Sequence, residues 1–130
     1  MERRCPQQRD KMSARQLVGR RGEQAAEREL QRHGLRVMHR NYRVRGGEVD
    51  LIARDGDTLV FVEVRVRSHA AWGGAAASVD ATKRARVVLA ARHFLCAGGA
   101  AWAAAPCRFD VVAIDGGRLR WIRDAFDAGM

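Results

Sequence analysis

One hairpin signal constrains this chain more than any other feature. Two runs that read as strands, Glu48 to Arg54 and Thr58 to Arg67, are separated by Asp55-Gly56-Asp57, a combination that turns the backbone sharply and joins antiparallel neighbours. If Gly56-Asp57 forms a two-residue turn, Asp55 pairs with Thr58, and counting outward sets Asp50 opposite Glu63 and Glu48 opposite Arg65. If the turn is Asp55-Gly56, Asp50 lies diagonal to Glu63. Either register keeps these side chains on one face, whereas an odd-length loop would separate them. Along the second run, Val60, Val62, Val64 and Val66 make an apolar face, and Phe61, Glu63, Arg65 and Arg67 make the other. A polar row of that kind belongs to a solvated face or to a site.

The rest of the chain supplies helices to cover such a sheet. Ser13 to Gly34 reads as a helix with Ser13 as N-cap and Gly34 just past its end. A short strand follows at Leu35 to Tyr42. A second helix is predicted from about Val79 to Ala97, stopped by Gly98-Gly99. Strands at Cys107 to Ile114 and Arg118 to Ile122 flank the second turn signal, Asp115-Gly116-Gly117. Helix, strands, helix, strands implies an α/β fold with a mixed sheet covered by helices. The 130 residues allow one compact domain, expected over residues 13–130, preceded by a flexible basic arm over residues 1–12.

Charge narrows the partners. Lys and Arg number 24 against 15 Asp and Glu, a formal net charge of +9, so the surface should attract polyanions, nucleic acid first. Three cysteines, Cys5, Cys96 and Cys107, without a C-x-x-C pair read as reduced thiols in a cytoplasmic protein. No stretch is apolar enough to span a bilayer, so no membrane partner is expected. Candidate phosphate contacts are Arg43, Arg45, Arg67, Lys83, Arg84 and Arg86.

Two carboxylates facing each other across a hairpin repel, so Asp50 and Glu63 need a cation. Arg65 could supply it, and so could Mg²⁺ or Mn²⁺, which take a few hard oxygen ligands and keep waters and phosphate oxygens in the remaining positions. A plain surface ion-pair ladder, Glu48 with Arg65 and Asp50 with Arg67 or Arg43, fits the same spacing.

Several motifs agree in order and separation with a known family: Gly22-Glu23, Asn41-Tyr42-Arg43, Gly47-Glu48-Val49-Asp50-Leu51-Ile52, Phe61-Val62-Glu63-Val64-Arg65 and Lys83. In these the chain resembles the bacterial YraN-like family, classed with endonucleases, over nearly everything from Leu17 to Phe126. The resemblance implies a restriction-endonuclease-like fold with a PD-(D/E)xK core, similar to archaeal Holliday-junction resolvases. By the same resemblance Glu23, Asp50 and Glu63 are metal ligands, Asp50, Glu63, Arg65 and Lys83 form the catalytic set, and the substrate is DNA, branched or otherwise structured. Resolvase-like enzymes are often homodimers. Arg65 stands where the core motif has lysine; arginine stays protonated and stabilises negative charge but cannot act as a base. Three readings therefore stay open: a metal-dependent endonuclease, a catalytically inert nucleic-acid-binding or partner-docking module on the same fold, and an RNA- or ribosome-associated adaptor whose basic arm does the binding.

Overall fold

A computed structural model describes residues 13–67 and 74–129; the basic arm expected over residues 1–12 lies outside them. The elements in order are α1 (Ala14–Arg32), β1 (Arg36–Val44), β2 (Gly47–Asp55), β3 (Thr58–Arg67), a single turn of helix α2 (Gly74–Ala77), α3 (Ala81–Ala97), a 3₁₀ turn (Gly99–Ala101), β4 (Cys107–Asp115) and β5 (Arg118–Phe126). The five strands form one sheet in the order β1-β2-β3-β4-β5. Only β3 and β4 run parallel. Their connection carries α2 and α3, as a parallel crossover requires.

Both faces of the sheet are covered. Ala26 and Leu30 of α1 pack with Leu51, Ala53, Val60, Val62, Val64, Val112 and Ile114 on one face. Val87, Ala90, Ala91 and Phe94 of α3 pack with Val49, Ile52, Leu59, Phe61 and Phe109 on the other. The valine face read along β3 is thus the face under α1. The opposite face is apolar at Leu59 and Phe61 and turns polar only at Glu63, where the strand emerges from beneath α3.

Local chemistry explains the ends of the elements. Ser13 caps α1 in a reciprocal box, its hydroxyl accepting from the Gln16 N–H at 3.1 Å while the Gln16 side chain accepts from the Ser13 N–H at 3.0 Å. Gly34, at φ +87°, turns the chain out of the helix. The second helix begins two residues later than expected, because Asp80 accepts from the Lys83 N–H at 3.0 Å and caps α3. Val79 is buried ahead of the cap. β1 and β5 run further than expected, to Val44 and Phe126.

Two glycines of the motif region fix how closely the helices approach the sheet. A Cβ on Gly22 would stand 2.4 Å from Cγ2 of Val66, so α1 can lie on β3 at this depth only with glycine there. A Cβ on Gly47 would stand 2.8 Å from the Arg86 carbonyl oxygen and 3.0 Å from the Ala90 nitrogen. The start of β2 is therefore pressed directly against the backbone of α3. These contacts seat Glu23 and Glu48, the residues that follow.

Candidate metal and nucleic-acid site

The β2–β3 register is the one set by a Gly56-Asp57 turn, with Asp55 paired to Thr58 and Leu51 to Val62. Regular pairing stops there, one step short of Asp50 and Glu63. The cause lies in β2. Val49 packs under α3 and Leu51 under α1, although residues two apart on a regular strand share a face, so the alternation breaks at Asp50. Beyond this level the strands separate. Asp50 reaches across, and its Oδ2 accepts the Val64 N–H at 2.8 Å, satisfying a donor that a continued ladder would have paired.

The separation opens a cleft of about 600 Å³ whose walls include Arg15 and Glu23 from α1, Glu48 and Asp50 from β2, and Glu63, Arg65 and Arg67 from β3. Glu63 is 9% exposed. Burial, then the charge of Asp50 and a hydrogen bond shared with it, push the Glu63 carboxyl up to about 9, against the weaker opposing pull of Arg65. Burial raises Asp50 as well, countered by the Val64 N–H and the Glu63 hydrogen bond. Glu63 thus keeps its proton at neutral pH, which is how a buried facing pair avoids carrying two full charges. Glu23 is raised by partial burial and by Asp50, with a side-chain hydrogen bond from Asn41 acting the other way.

Arg65 is placed beside this pair, with Nη1 3.8 Å from Glu63 Oε2. Its Nε donates to the Ser78 hydroxyl at 3.0 Å, and that hydroxyl donates to the Ala75 carbonyl at 2.5 Å. Ser78 gave no sign of this role in the sequence, because the crossover brings it to β3 from thirteen residues away. The expected partnership of Glu48 with Arg65 is not formed. Glu48 accepts from Arg43 Nε across the β1–β2 pair at 2.8 Å, since Arg43 is its direct neighbour in register. The ladder of ion pairs across the hairpin is thus absent among the described residues, apart from the Glu63–Arg65 contact along one strand.

The expected site residues divide. Glu23, Asp50, Glu63, Arg65 and Arg67 meet in the cleft. Lys83 lies in the first turn of α3 beside its cap Asp80 and does not line the cleft. Arg84 donates from Nε to the Val79 carbonyl at 3.0 Å, Arg86 is exposed on the next turn, and Arg45 is exposed in the β1–β2 turn. Arg43 is committed to Glu48.

The residues present fit a divalent cation. Among the described residues no three carboxylate, histidine or cysteine side chains form a ready-made cage. Mg²⁺ does not require one, because it binds through one or two carboxylates and keeps waters for the rest. Asp50 and Glu63 offer hard oxygen donors whose mutual repulsion is relieved by the Glu63 proton and only partly by Arg65, and a cation would relieve it more strongly.

The fold and cleft describe a mixed α/β protein whose acidic site opens at the splayed ends of two central strands in a basic chain. The chain belongs to the uncharacterised protein family UPF0102, matching it over residues 22–114. It is 54% identical over 120 residues to the UPF0102 protein of Ectopseudomonas mendocina, covering 90% of this chain and all of the relative. It is 56% identical over 110 residues to that of Dechloromonas aromatica, covering 85% of this chain and 88% of the relative. Among the described residues no helix is long and apolar enough to cross a membrane.

Proposed function

We propose that this protein is a metal-dependent endonuclease of restriction-endonuclease-like fold that hydrolyses phosphodiester bonds in DNA, with branched or structured DNA as its substrate class. The observation that carries the reading is the pair Asp50 and Glu63, two carboxylates brought together on the wall of one cleft with Glu63 buried. A fold has no use for two facing carboxylates that must be kept from ionising together, and they cost stability unless a cation is drawn to them. Glu23, brought to the same cleft by the close contact at Gly22, adds a third oxygen donor.

When bound, Mg²⁺ or Mn²⁺ would supply a polarised phosphoryl oxygen and an activated water. Asp50 and Glu63 would hold it, with Glu63 giving up its proton. Arg65 presents a guanidinium braced by Ser78, so it serves to stabilise negative charge developing on a phosphate in the cleft. Arg15 and Arg67 stand on the same walls, placed to neutralise neighbouring phosphates.

Titration calorimetry with Mn²⁺ tests the reading. Wild type should bind the ion and Asp50→Ala should not. With Mn²⁺ present, wild type should cleave at least one of linear, single-stranded or four-way-junction DNA, and Glu63→Ala should abolish cleavage. The replacement of the motif lysine by Arg65 favours a second reading, an inert binding module. Metal binding without cleavage by wild type, together with a gain of cleavage in Arg65→Lys, would establish that module. Equal Mn²⁺ binding by wild type and Asp50→Ala would remove the metal site altogether.

A further inference from the structure

Arg65 is held by a chain of contacts that ends at the β4–β5 turn. Its Nε donates to the Ser78 hydroxyl at 3.0 Å, and that hydroxyl donates to the Ala75 carbonyl at 2.5 Å. The Ala75 N–H in turn donates at 2.7 Å to Oδ1 of Asp115, the last residue of β4. Ala75 sits in α2, a helix of four residues. A single turn does not hold its shape alone, because it fixes several dihedrals for one hydrogen bond, so its place is set by what it touches. Ala75 is fully buried and packs with Val79, Val111 and Ala113. Asp115 then takes an N–H that the first helical turn leaves unpaired. A Cβ on Gly74 would stand 3.1 and 3.2 Å from the two Asp115 carboxylate oxygens, so glycine, at φ +77°, lets the carboxylate come this close. The same turn also grips β3: the Gly116 N–H donates at 2.9 Å to the carbonyl of Arg67, the register partner of Asp115. The Arg65 side chain and the Arg67 backbone, both on the cleft wall, are thus tied to one turn.

We propose that Asp115 is a positioning residue that holds the Arg65 guanidinium at the cleft, acting through the Ala75 backbone and the Ser78 hydroxyl. Its role in catalysis rests on the function proposed above. A long side chain is fixed only where its head group is anchored, because its rotamer freedom is otherwise retained. Arg65 Nη1 lies 3.8 Å from Glu63, too far for a hydrogen bond, so the bond from Nε to Ser78 is the anchor. The hydroxyl offers its lone pairs to Arg65 because its proton goes to the Ala75 carbonyl, and Ala75 is pinned by Asp115 through its N–H. Asp115 itself is not among the walls of the cleft.

Asp115→Ala removes the acceptor, Asp115→Glu keeps the charge and displaces the oxygen, and Asp115→Asn keeps an oxygen in place. In the ¹H–¹⁵N spectrum of the metal-free full chain, the Arg65 Nε–H resonance is identified by its loss in Arg65→Lys. It should shift in Ser78→Ala, Asp115→Ala and Asp115→Glu, and stay near its wild-type position in Asp115→Asn. A resonance unmoved in the folded alanine or glutamate variant overturns the proposal, as does an asparagine variant that shifts as far as alanine. Loss of folding in both the alanine and glutamate variants would make Asp115 a residue of the fold alone and overturn it too. With Mn²⁺ and DNA, Asp115→Ala should slow cleavage about tenfold or more at unchanged Mn²⁺ affinity. It should add nothing in an Arg65→Ala background; a further loss there would show an effect that bypasses Arg65 and overturn the proposal. Should wild type cleave no DNA while the resonance still responds to Asp115, the nuclease reading falls and the positioning of Arg65 by Asp115 stands.

Discussion

Substituting Glu63 by glutamine should stabilise the protein, and by an amount that grows with pH. The Glu63 carboxyl is pushed from an ordinary 4.5 up to about 9 in the folded chain. A carboxyl raised on folding costs nothing below 4.5, where both states are protonated. Above that the unfolded state sheds its proton first, binds fewer protons than the native state, and stability falls as pH rises towards 9. Each unit corresponds to about 1.4 kcal/mol. At pH 7.5 the three units above 4.5 therefore amount to about 4 kcal/mol at most, and coupling to Asp50 lowers the figure. Glutamine keeps the shape and a hydrogen-bond donor to Asp50 but has no proton to lose. Urea unfolding of wild type and Glu63→Gln should give nearly equal stabilities at pH 4 and diverge steadily to pH 8, with the variant more stable by about 2 kcal/mol or more. Mn²⁺ should reverse the order at pH 8, because the ion stabilises only the protein that can bind it. A difference that is flat with pH would refute the retained-proton account, and with it the argument that this pair awaits a cation.

The remaining predictions address the frame and the charge around the site. Gly22→Ala should destabilise by about 1 to 3 kcal/mol through overpacking against Val66, and Val66→Ala in the same chain should recover much of the loss; additive losses in urea unfolding would show that the close contact at Gly22 is not the cause. Asp110→Ala should cost about 3 kcal/mol or more, because Asp110 is fully buried and accepts from Arg108, the Trp121 indole at 2.9 Å and the Asp124 N–H; a change under about 1 kcal/mol in chemical denaturation would contradict that account. In nuclease assays with Mn²⁺, Arg65→Lys should cleave at least as fast as wild type and Arg65→Ala about 10²-fold more slowly. Affinity for DNA, followed by fluorescence anisotropy, should fall steeply with salt, and a salt-insensitive affinity would point to a partner other than a polyanion.

The sequence by itself determined the strands, the turn and the facing carboxylates. Strand alternation and a glycine-led turn are local properties, so counting narrowed the hairpin to two registers that both bring Asp50 near Glu63, and the structure takes the one that pairs Asp55 with Thr58. Helix caps at Ser13 and the turn at Gly34 were legible for the same reason. Three things were decided only by the tertiary structure. The break in alternation at Asp50, which ends the ladder and opens the cleft, needs α1 on one face and α3 on the other competing for Leu51 and Val49. Glu48 took Arg43 as its partner and left Arg65 to Ser78, because the β1 neighbour in register and the crossover after β3 are distant in sequence and invisible to periodicity. Gly22 and Gly47 gave no local sign of their role, yet a Cβ at Gly22 would collide with the Val66 side chain and one at Gly47 with the backbone of α3. Contact between elements far apart in the chain, and the burial it imposes on carboxylates that would otherwise ionise freely, is what turns a polar hairpin into a site.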